Sequence, residues 1–185
     1  MNIFSHAAGV FSASLAALFS GCAAPTSDIP AVGNFDLGRY MGTWYEVARL
    51  PHRFERGLDF VRAEYAFAPD GSFRVVNSGL RDGKARSVVG RAVPKAPGKR
   101  VGELRVSFFR PFYGAYRVIE LDREYRYAVV TGATRDYLWI LSREPVMDGK
   151  LLGDILGRLA ALGFATDKLE FPRQKGVPDG NSGAL

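Results

Sequence analysis

Short runs in which apolar and polar residues alternate dominate the middle of this chain. In the run 61–67, for example, Val61, Ala63 and Tyr65 fall on one side and the intervening residues on the other. A period of two is typical of a β-strand with one buried face. Turn residues separate successive runs at short intervals, which favours hairpins between strands that are adjacent in sequence. The pattern predicts eight strands, over residues 44–49, 61–67, 73–78, 87–93, 103–108, 116–121, 125–131 and 137–142.

One helical pattern follows the last predicted strand. Apolar residues recur at spacings of three and four between Met147 and Leu162, which is the period of a helix with a single apolar stripe. Asp148 near the start and Gly163 after the end are typical of helix termini. The sequence therefore predicts an all-β protein: an eight-stranded antiparallel up-and-down barrel with one C-terminal helix packed on the outside. A short strand over 168–171 is a further expectation.

Two blocks of sequence, roughly a hundred residues apart, carry a more specific signal. The first places Gly42 and Trp44 at the start of the first strand, and the second places Arg143 at the end of the last. A large aromatic side chain can plug one end of a barrel, and a guanidinium group over its ring forms a cation–π pair that is stronger when water is excluded. Gly42 leaves room for the chain to enter this barrel floor. Together, Gly42, Trp44 and Arg143 predict a cup that is closed at one end.

These blocks resemble the signature of the lipocalin family, and in particular its bacterial subgroup of outer-membrane lipoproteins related to apolipoprotein D. The resemblance covers residues 34–172. It implies the barrel fold and an apolar ligand inside it. The segments between the two blocks that also match are 45–49, 52–57, 106–114 and 121–126.

The resemblance implies a lipid carrier. The implied ligand is a fatty acid or a lysophospholipid, and the implied role is non-catalytic transport, storage or salvage of lipid in the bacterial cell envelope, including membrane maintenance under stress. No cofactor is implied. Relatives of this subgroup can dimerise, so a homodimer is a further expectation, with the Phe-rich run 108–116 as its candidate surface.

Residues 1–21 form an apolar segment in front of Cys22, the only cysteine of the chain. The segment is too short for a convincing membrane span and is typical of a secretory signal peptide. Leu18 to Gly21, followed by Cys22, resemble the cleavage motif of bacterial lipoproteins, which implies that Cys22 becomes the acylated first residue. Each buried CH₂ adds about 0.8 kcal/mol, so several acyl chains on one residue anchor durably. By analogy with bacterial lipoproteins, Ala23 favours the outer membrane, with the domain facing the periplasm.

Two departures from the lipoprotein pattern keep an alternative open. The N-terminal segment contains neither Lys nor Arg, and Phe19 stands where Leu is usual. An ordinary secretory signal, cleaved nearby, would instead leave a soluble periplasmic protein. The predicted organisation is a signal peptide over 1–21, the lipidated Cys22 and a tether over 22–33, the barrel and helix over 34–172, and a disordered tail over 173–185.

Basic residues outnumber acidic ones, with 25 Lys and Arg against 19 Asp and Glu and a net charge of +6. The first basic residue is Arg39, so the whole excess lies beyond the N-terminal segment. A basic surface suits anionic lipid headgroups. No helix-turn-helix, zinc or RNA-recognition pattern accompanies it, so nucleic acid is not an expected partner.

Catalytic chemistry has few candidate residues. The histidines are His6, inside the predicted signal peptide, and His52, in the connection after the first strand, where a solvated side chain is expected. With a single cysteine besides, a metal site built on His or Cys is not expected. No phosphate-binding loop or nucleotide fingerprint occurs. The chain is therefore predicted not to be an enzyme.

The parity of the strands predicts which side chains line the cup. If Arg143 points inward, Leu141, Trp139 and Tyr137 share its face, with Trp139 at mid-depth. The run 108–116 is too apolar for an ordinary solvated turn and is expected to send side chains into the mouth of the cup. The predicted ligand-binding residues are Trp139, Tyr113, Phe108, Tyr137, Ala63 and Tyr65.

Charged residues near the mouth refine the expected ligand and leave two alternatives. Arg53, Arg56 and Arg110 are candidate rim cations for a phosphate or carboxylate, so an amphiphile with an acyl tail and an anionic head is expected. An inward Trp44 would also bring Glu46 inside, unless a bulge breaks the alternation. An inward Glu46 would be the acid or base of a barrel enzyme, the first alternative. The second is a structural envelope lipoprotein whose barrel is filled by its own side chains.

Overall fold

The computed structural model describes residues 24–174; Cys22, the predicted signal peptide over 1–21 and residues 175–185 lie outside the described residues. All eight predicted strands are present and form one closed antiparallel barrel in sequence order, which confirms the predicted fold. The strands are β1 (Gly42–Arg49), β2 (Asp59–Phe67), β3 (Phe73–Arg81), β4 (Lys84–Pro94), β5 (Glu103–Phe109), β6 (Phe112–Leu121), β7 (Tyr127–Thr131) and β8 (Leu138–Ser142).

The up-and-down order gives the barrel two different ends. Because neighbouring strands are antiparallel, the connections 50–58, 82–83, 110–111 and 132–137 all lie at the end where β1 finishes. We call this end the mouth. The opposite end, where Gly42 begins β1, is the floor.

The predicted C-terminal helix is α2 (Gly149–Ala161), which packs on the outer wall of the barrel. The Asp148 side chain accepts a hydrogen bond from the amide of Leu151 at 2.9 Å and caps the first turn. Ile155 and Leu159 are buried in one apolar cluster with side chains of β7 and β8. Burial of such a side chain contributes about 2 kcal/mol, so the apolar stripe fixes the helix to the barrel. No helix within residues 24–174 is long and apolar enough to cross a membrane.

Two short elements differ from the sequence-based expectation. A further helix, α1 (Leu37–Tyr40), precedes the first strand, and the Asp36 side chain caps it. At 168–171 the expected strand is replaced by a 3₁₀ turn (Thr166–Lys168) and one isolated bridge between Glu170 and Arg49. Elements of three or four residues carry no periodicity, which explains why the pattern did not predict them.

Residues 24–33, the described part of the predicted tether, run along the outer wall from the mouth to the floor. Thr26 and Ile29 are buried. The Thr26 hydroxyl donates to the carbonyl of Gly132 at 2.7 Å, and the Arg117 guanidinium donates to the carbonyl of Ile29 at 2.6 Å. Ile29 also joins the apolar cluster under α2. The segment is held because distant side chains satisfy its backbone.

The boundary of the predicted tail is also two residues too early. The Gln174 side chain is buried, and its amide nitrogen donates to the carbonyls of Glu46 at 2.7 Å and Val61 at 2.9 Å. These carbonyls lie beyond the last pair of the β1–β2 ladder, Tyr45 with Arg62. The C-terminal segment therefore fills the gap where the two strands diverge.

Candidate ligand cavity

The floor of the barrel is closed by Trp44 and Arg143. Trp44 is completely buried, and its indole nitrogen donates to the carbonyl of Tyr40 at 2.8 Å. The guanidinium carbon of Arg143 lies 3.9 Å from the centroid of the indole ring. Burial lowers the pKa of Arg143 from its ordinary value, yet the group stays cationic because an arginine pKa starts near 12.5. The predicted cation–π arrangement is present.

Gly42 takes the conformation that this floor needs. Its φ of +92° lies in a region that favours glycine. A Cβ atom at Gly42 would also stand 3.4 Å from the Arg143 guanidinium. Arg143 is in turn held by carbonyl oxygens at 2.7–2.9 Å, from Arg39, Met41 and Thr43.

A cavity of about 550 Å³ opens from the mouth toward this floor. Its volume is in the usual range for small-molecule sites. The cavity contradicts the alternative in which the barrel is filled by its own side chains. The structure brings all six residues predicted from parity and composition to its wall: Ala63, Tyr65, Phe108, Tyr113, Tyr137 and Trp139. 

The wall residues differ in their exposure. Trp139 is half-buried, whereas Tyr113 lies at the edge of the mouth, where the guanidinium carbon of Arg105 is 5.8 Å from its ring centroid. Tyr137 precedes β8 instead of beginning it, and its ring stacks on Trp139 with centroids 6.1 Å apart. Trp139 therefore lies on the cavity wall against the rings of Tyr137 and His52.

Tyr65 and Tyr116 line the deep end of the cavity, and the hydroxyl of the fully buried Tyr40 lies against that of Tyr116. Tyr65 donates to Tyr116 at 3.0 Å, and the hydroxyls of Tyr116 and Tyr40 are 2.6 Å apart. Burial raises the pKa of Tyr65 to about 12 and the pKa values of Tyr40 and Tyr116 well above 10. The deep end is therefore polar but uncharged. Tyr116 was not among the predicted cavity residues, although it shares the parity of the buried Val118.

Glu46 faces inward by alternation from Trp44, and a β-bulge that follows it decides the direction of Arg49. In a regular strand, residues three positions apart face opposite sides. The register of β1 against β8 shifts between Glu46 and Ala48, so that Glu46 opposes Leu141 and Arg49 opposes Trp139. Since Leu141 and Trp139 line the cavity, Glu46 and Arg49 both face inward.

The buried Glu46 carboxyl is paired with Arg49. Its Oε1 atom lies 2.7 Å from Arg49 Nη1, and Arg49 also donates to Glu170 at 3.0 Å. Burial, followed by the nearby Glu55 charge, raises the pKa of Glu46 to about 8, while Arg49 acts in the opposite direction. The cavity wall thus contains a carboxyl group that holds its proton unusually strongly.

His52 is buried, so the expectation of a solvated loop histidine is wrong. Its ring centroid lies 4.3 Å from that of Phe54 and 5.1 Å from that of Trp139. His52 Nε2 is 2.9 Å from Glu55 Oε2, but within residues 24–174 neither ring nitrogen has an aligned hydrogen-bond partner. Glu55 instead accepts a hydrogen bond from the Trp139 indole at 3.0 Å. The connection 50–58 folds inward over Trp139 because these aromatic rings pack together.

The mouth carries the three predicted rim cations and several exposed aromatic rings. Arg53, Arg56 and Arg110 are all exposed at this end. The exposed rings are those of Phe54, Phe109 and Phe112. The Phe-rich run was predicted from the sequence, whereas Phe54 and Glu55 were not, since nothing local shows that the connection 50–58 folds over the cavity. Residues 24–174 contain no group of three His, Cys, Asp or Glu that could hold a metal ion.

Comparisons with known proteins agree with this architecture. A family model described as a lipocalin-like domain matches residues 35–174. The outer membrane lipoprotein Blc of Escherichia coli (strain K12) is 44% identical over 171 residues, which cover 90% of this chain and 96% of the relative. Its counterpart from Vibrio cholerae is 43% identical over 161 residues, covering 85% of this chain and 94% of the relative. Apolipoprotein D of Bos taurus is 31% identical over 162 residues, covering 81% and 82%.

Solved structures share the fold at lower sequence identity. Insecticyanin from the tobacco hornworm Manduca sexta superposes with a TM-score of 0.66 at 21% identity, covering 80% of this chain and 86% of that one. Lobster apocrustacyanin A1 superposes with a TM-score of 0.61 at 20% identity, covering 75% and 79%. At this level of identity the similarity concerns the barrel alone.

Proposed function

The chain belongs to the lipocalin family, and from this premise we propose that it binds a single-chain lipid in the bacterial cell envelope without catalysis. Lipocalins bind small hydrophobic ligands. The observation that supports the proposal is the cavity of about 550 Å³ above a closed floor. An acyl tail inside it would contribute roughly 25 cal/mol for each Å² of apolar surface removed from water.

Within the lipid class, the charges favour a lysophospholipid with an amine in its head over a fatty acid. The charged residues that line the cavity are Glu46, Glu55 and Arg62, and Arg62 is already paired with Glu64 at 3.0 Å. A fatty-acid carboxylate at this depth would approach Glu55 unfavourably. An ammonium group would gain from Glu55 and from the ring of Trp139.

We also propose that acylated Cys22 holds the barrel on the periplasmic face of the outer membrane. Cys22 follows the apolar segment 1–21, as in a lipoprotein signal. The name outer membrane lipoprotein Blc, carried by relatives at 43–44% identity, supports this location. A carrier there would exchange lipid with the membrane and contribute to membrane maintenance.

A barrel enzyme is the second candidate, and the inward Glu46 with its raised pKa is the observation in its favour. Proton-transfer catalysts often have such shifted values. Against this, Glu46 is engaged by Arg49 at 2.7 Å. Non-catalytic binding is therefore the proposal, and the recovered ligand distinguishes the two functions: an intact lipid supports binding, and a cleaved lipid supports the enzyme.

The experiment is a fluorescence titration of the chain that begins at Ala23, which contains all of residues 24–174. We expect a saturable change in tryptophan fluorescence with lysophosphatidylethanolamine, and a weaker affinity for a fatty acid of matched length. Trp139→Phe should remove the response, because the remaining Trp44 is sealed in the floor. Glu55→Gln should lower the preference for the amine-containing lipid by about tenfold.

The control variant is Glu144→Gln, at an exposed position beyond the floor end of β8. It should bind both lipids as the unmodified chain does. A folded protein that shows no response to either lipid would contradict the proposal. A response that survives Trp139→Phe would place the lipid outside the cavity.

A further inference from the structure

The mouth presents three phenylalanine side chains to solvent. Phe109 and Phe112 face each other across the β5–β6 turn, and Phe54 projects from the connection 50–58. Their exposed fractions are 77%, 77% and 63%. A cluster of large exposed apolar side chains at one end of a soluble barrel marks an interaction surface.

Exposed cations share the mouth with these rings. The four connections and adjoining strand ends at the mouth expose five basic side chains but only two acidic ones. None of the five forms an ion pair with another residue of the described range 24–174. The cations are Arg53, Arg56, Lys84, Arg86 and Arg110, and the acids are Asp82 and Asp136. We call the three phenylalanines and five cations the mouth rim.

The N-terminal end of the described chain also lies at the mouth. The amide of Arg135 donates to the carbonyl of Ala24 at 2.9 Å, and Pro25 forms a β-bridge with Thr134. Both partners belong to the mouth connection 132–137. Cys22 is two residues before Ala24, so a lipid anchor there would be within about 7 Å of Ala24 along the chain. The anchor and the mouth rim would therefore meet the same membrane.

We propose that the mouth rim docks on an anionic lipid bilayer. The three phenylalanines enter the boundary between headgroups and acyl chains, the five cations contact lipid phosphates, and the cavity opens toward the membrane. A second copy of the chain fits this surface less well, because a symmetric pair would bring the unpaired cations of both copies together. The evidence for the docking surface is the exposure of these eight residues. Only the passage of lipid between bilayer and cavity rests on the proposed function.

The test is co-sedimentation of the chain beginning at Ala23 with vesicles of phosphatidylethanolamine and phosphatidylglycerol. We expect binding that weakens as salt is added. The double variant Phe109→Ser/Phe112→Ser should lower the partition coefficient by at least about tenfold. The control is Phe67→Ser: Phe67 is 60% exposed but lies at the floor end of β2. It should bind within about twofold of the unmodified chain.

Charge reversal tests the cations in the same way. Arg110→Glu should weaken vesicle binding and reduce its salt dependence, whereas Lys99→Glu, in the exposed β4–β5 turn at the floor, should do neither. Trp139→Phe should still bind vesicles even though it loses the ligand response, so that docking and cavity binding can fail separately.

Three results would overturn the docking proposal. The first is an unmodified chain that does not bind anionic vesicles. The second is an equal loss of binding in Phe67→Ser and in the double phenylalanine variant. The third is self-association, measured by analytical ultracentrifugation, that depends on Phe109 and Phe112 while vesicle binding is absent; the occupant would then be a second copy.

Discussion

Val47 is the extra residue that shifts the register of β1. The shift brings Arg49 to the same side of the barrel wall as Glu46. Without the shift, Glu46 and Arg49 would face opposite sides of the wall. With it, both are buried on the inner side, where they pair at 2.7 Å. A buried pair of this kind stabilises little beyond its own desolvation cost. Its effect is to give the inward Glu46 carboxyl a cationic partner, which acts against the rise in the pKa of Glu46.

The first prediction concerns the pH dependence of Glu46→Gln. Folding raises the pKa of Glu46 from an ordinary 4.5 to about 8, so the folded state binds the proton more strongly than the unfolded state. This contribution to stability is fully present below pH 4.5 and is lost as pH rises through about 8. Glu46→Gln should remove that decline. Urea unfolding across this pH range measures it, with Glu144→Gln as control; parallel profiles for Glu46→Gln and the unmodified chain would contradict the assignment.

At the scale of elements, segments from both ends of the described chain complete the barrel. Residues 24–33 cover the outer wall between mouth and floor, and Glu170 to Gln174 fill the gap between β1 and β2. Glu170 exchanges two backbone hydrogen bonds with Arg49, at 2.8 and 3.0 Å. The last segment therefore supports the same part of β1 that carries Glu46 and Arg49.

The second prediction is that Gln174→Ala destabilises the protein by about 1–3 kcal/mol, because the carbonyls of Glu46 and Val61 would lose a buried donor. The midpoint of urea unfolding measures this change. Lys150→Ala, on the exposed side of α2, is the control and should change stability by less than about 0.5 kcal/mol. Equal stability of Gln174→Ala and the unmodified chain would show that water replaces the lost donor without cost.

At the scale of the whole molecule, the two ends of the barrel differ in structure. Trp44 and Arg143 close the floor, whereas the mouth combines the cavity entrance, the mouth rim and the N-terminal end of the described chain. This arrangement follows from chain order: β1 rises from the floor, so a segment packed along the wall before it must start at the mouth. The first described residues and the cavity entrance therefore share one end of the barrel.

The third prediction concerns the proposed anchor at Cys22. The mature protein should begin at Cys22 with the mass of its acyl chains, and it should remain in the outer-membrane fraction after a high-salt wash. Cys22→Ser should appear in the soluble periplasmic fraction after the same wash, while Phe19→Leu should keep the anchor. An unacylated mature chain that begins elsewhere would favour the ordinary secretory signal.

Local patterns in the sequence were sufficient for the strands, the outer helix and the residues of the floor. Alternation determines which side chains share a face, so the positions of Ala63, Tyr65 and Trp139 on the cavity wall could be predicted before any tertiary contact was known. Trp44 and Arg143 could be paired because the two blocks that contain them resemble the lipocalin signature. Their ligand contacts remain a prediction.

Other features depend on tertiary contacts. The direction of Arg49 follows from a register shift against β8, and the burial of His52 follows from rings supplied by Phe54 and Trp139. The docking of residues 24–33 likewise needs Arg117 and Arg135, about a hundred positions away. The sequence alone determined the strands and the outer helix, because periodicity acts over neighbouring residues, and its two separated motifs identified the residues of the floor. The tertiary structure decided which charged side chains face the cavity, and at which end of the barrel residues 24–33 begin. Both depend on partners that are distant in sequence.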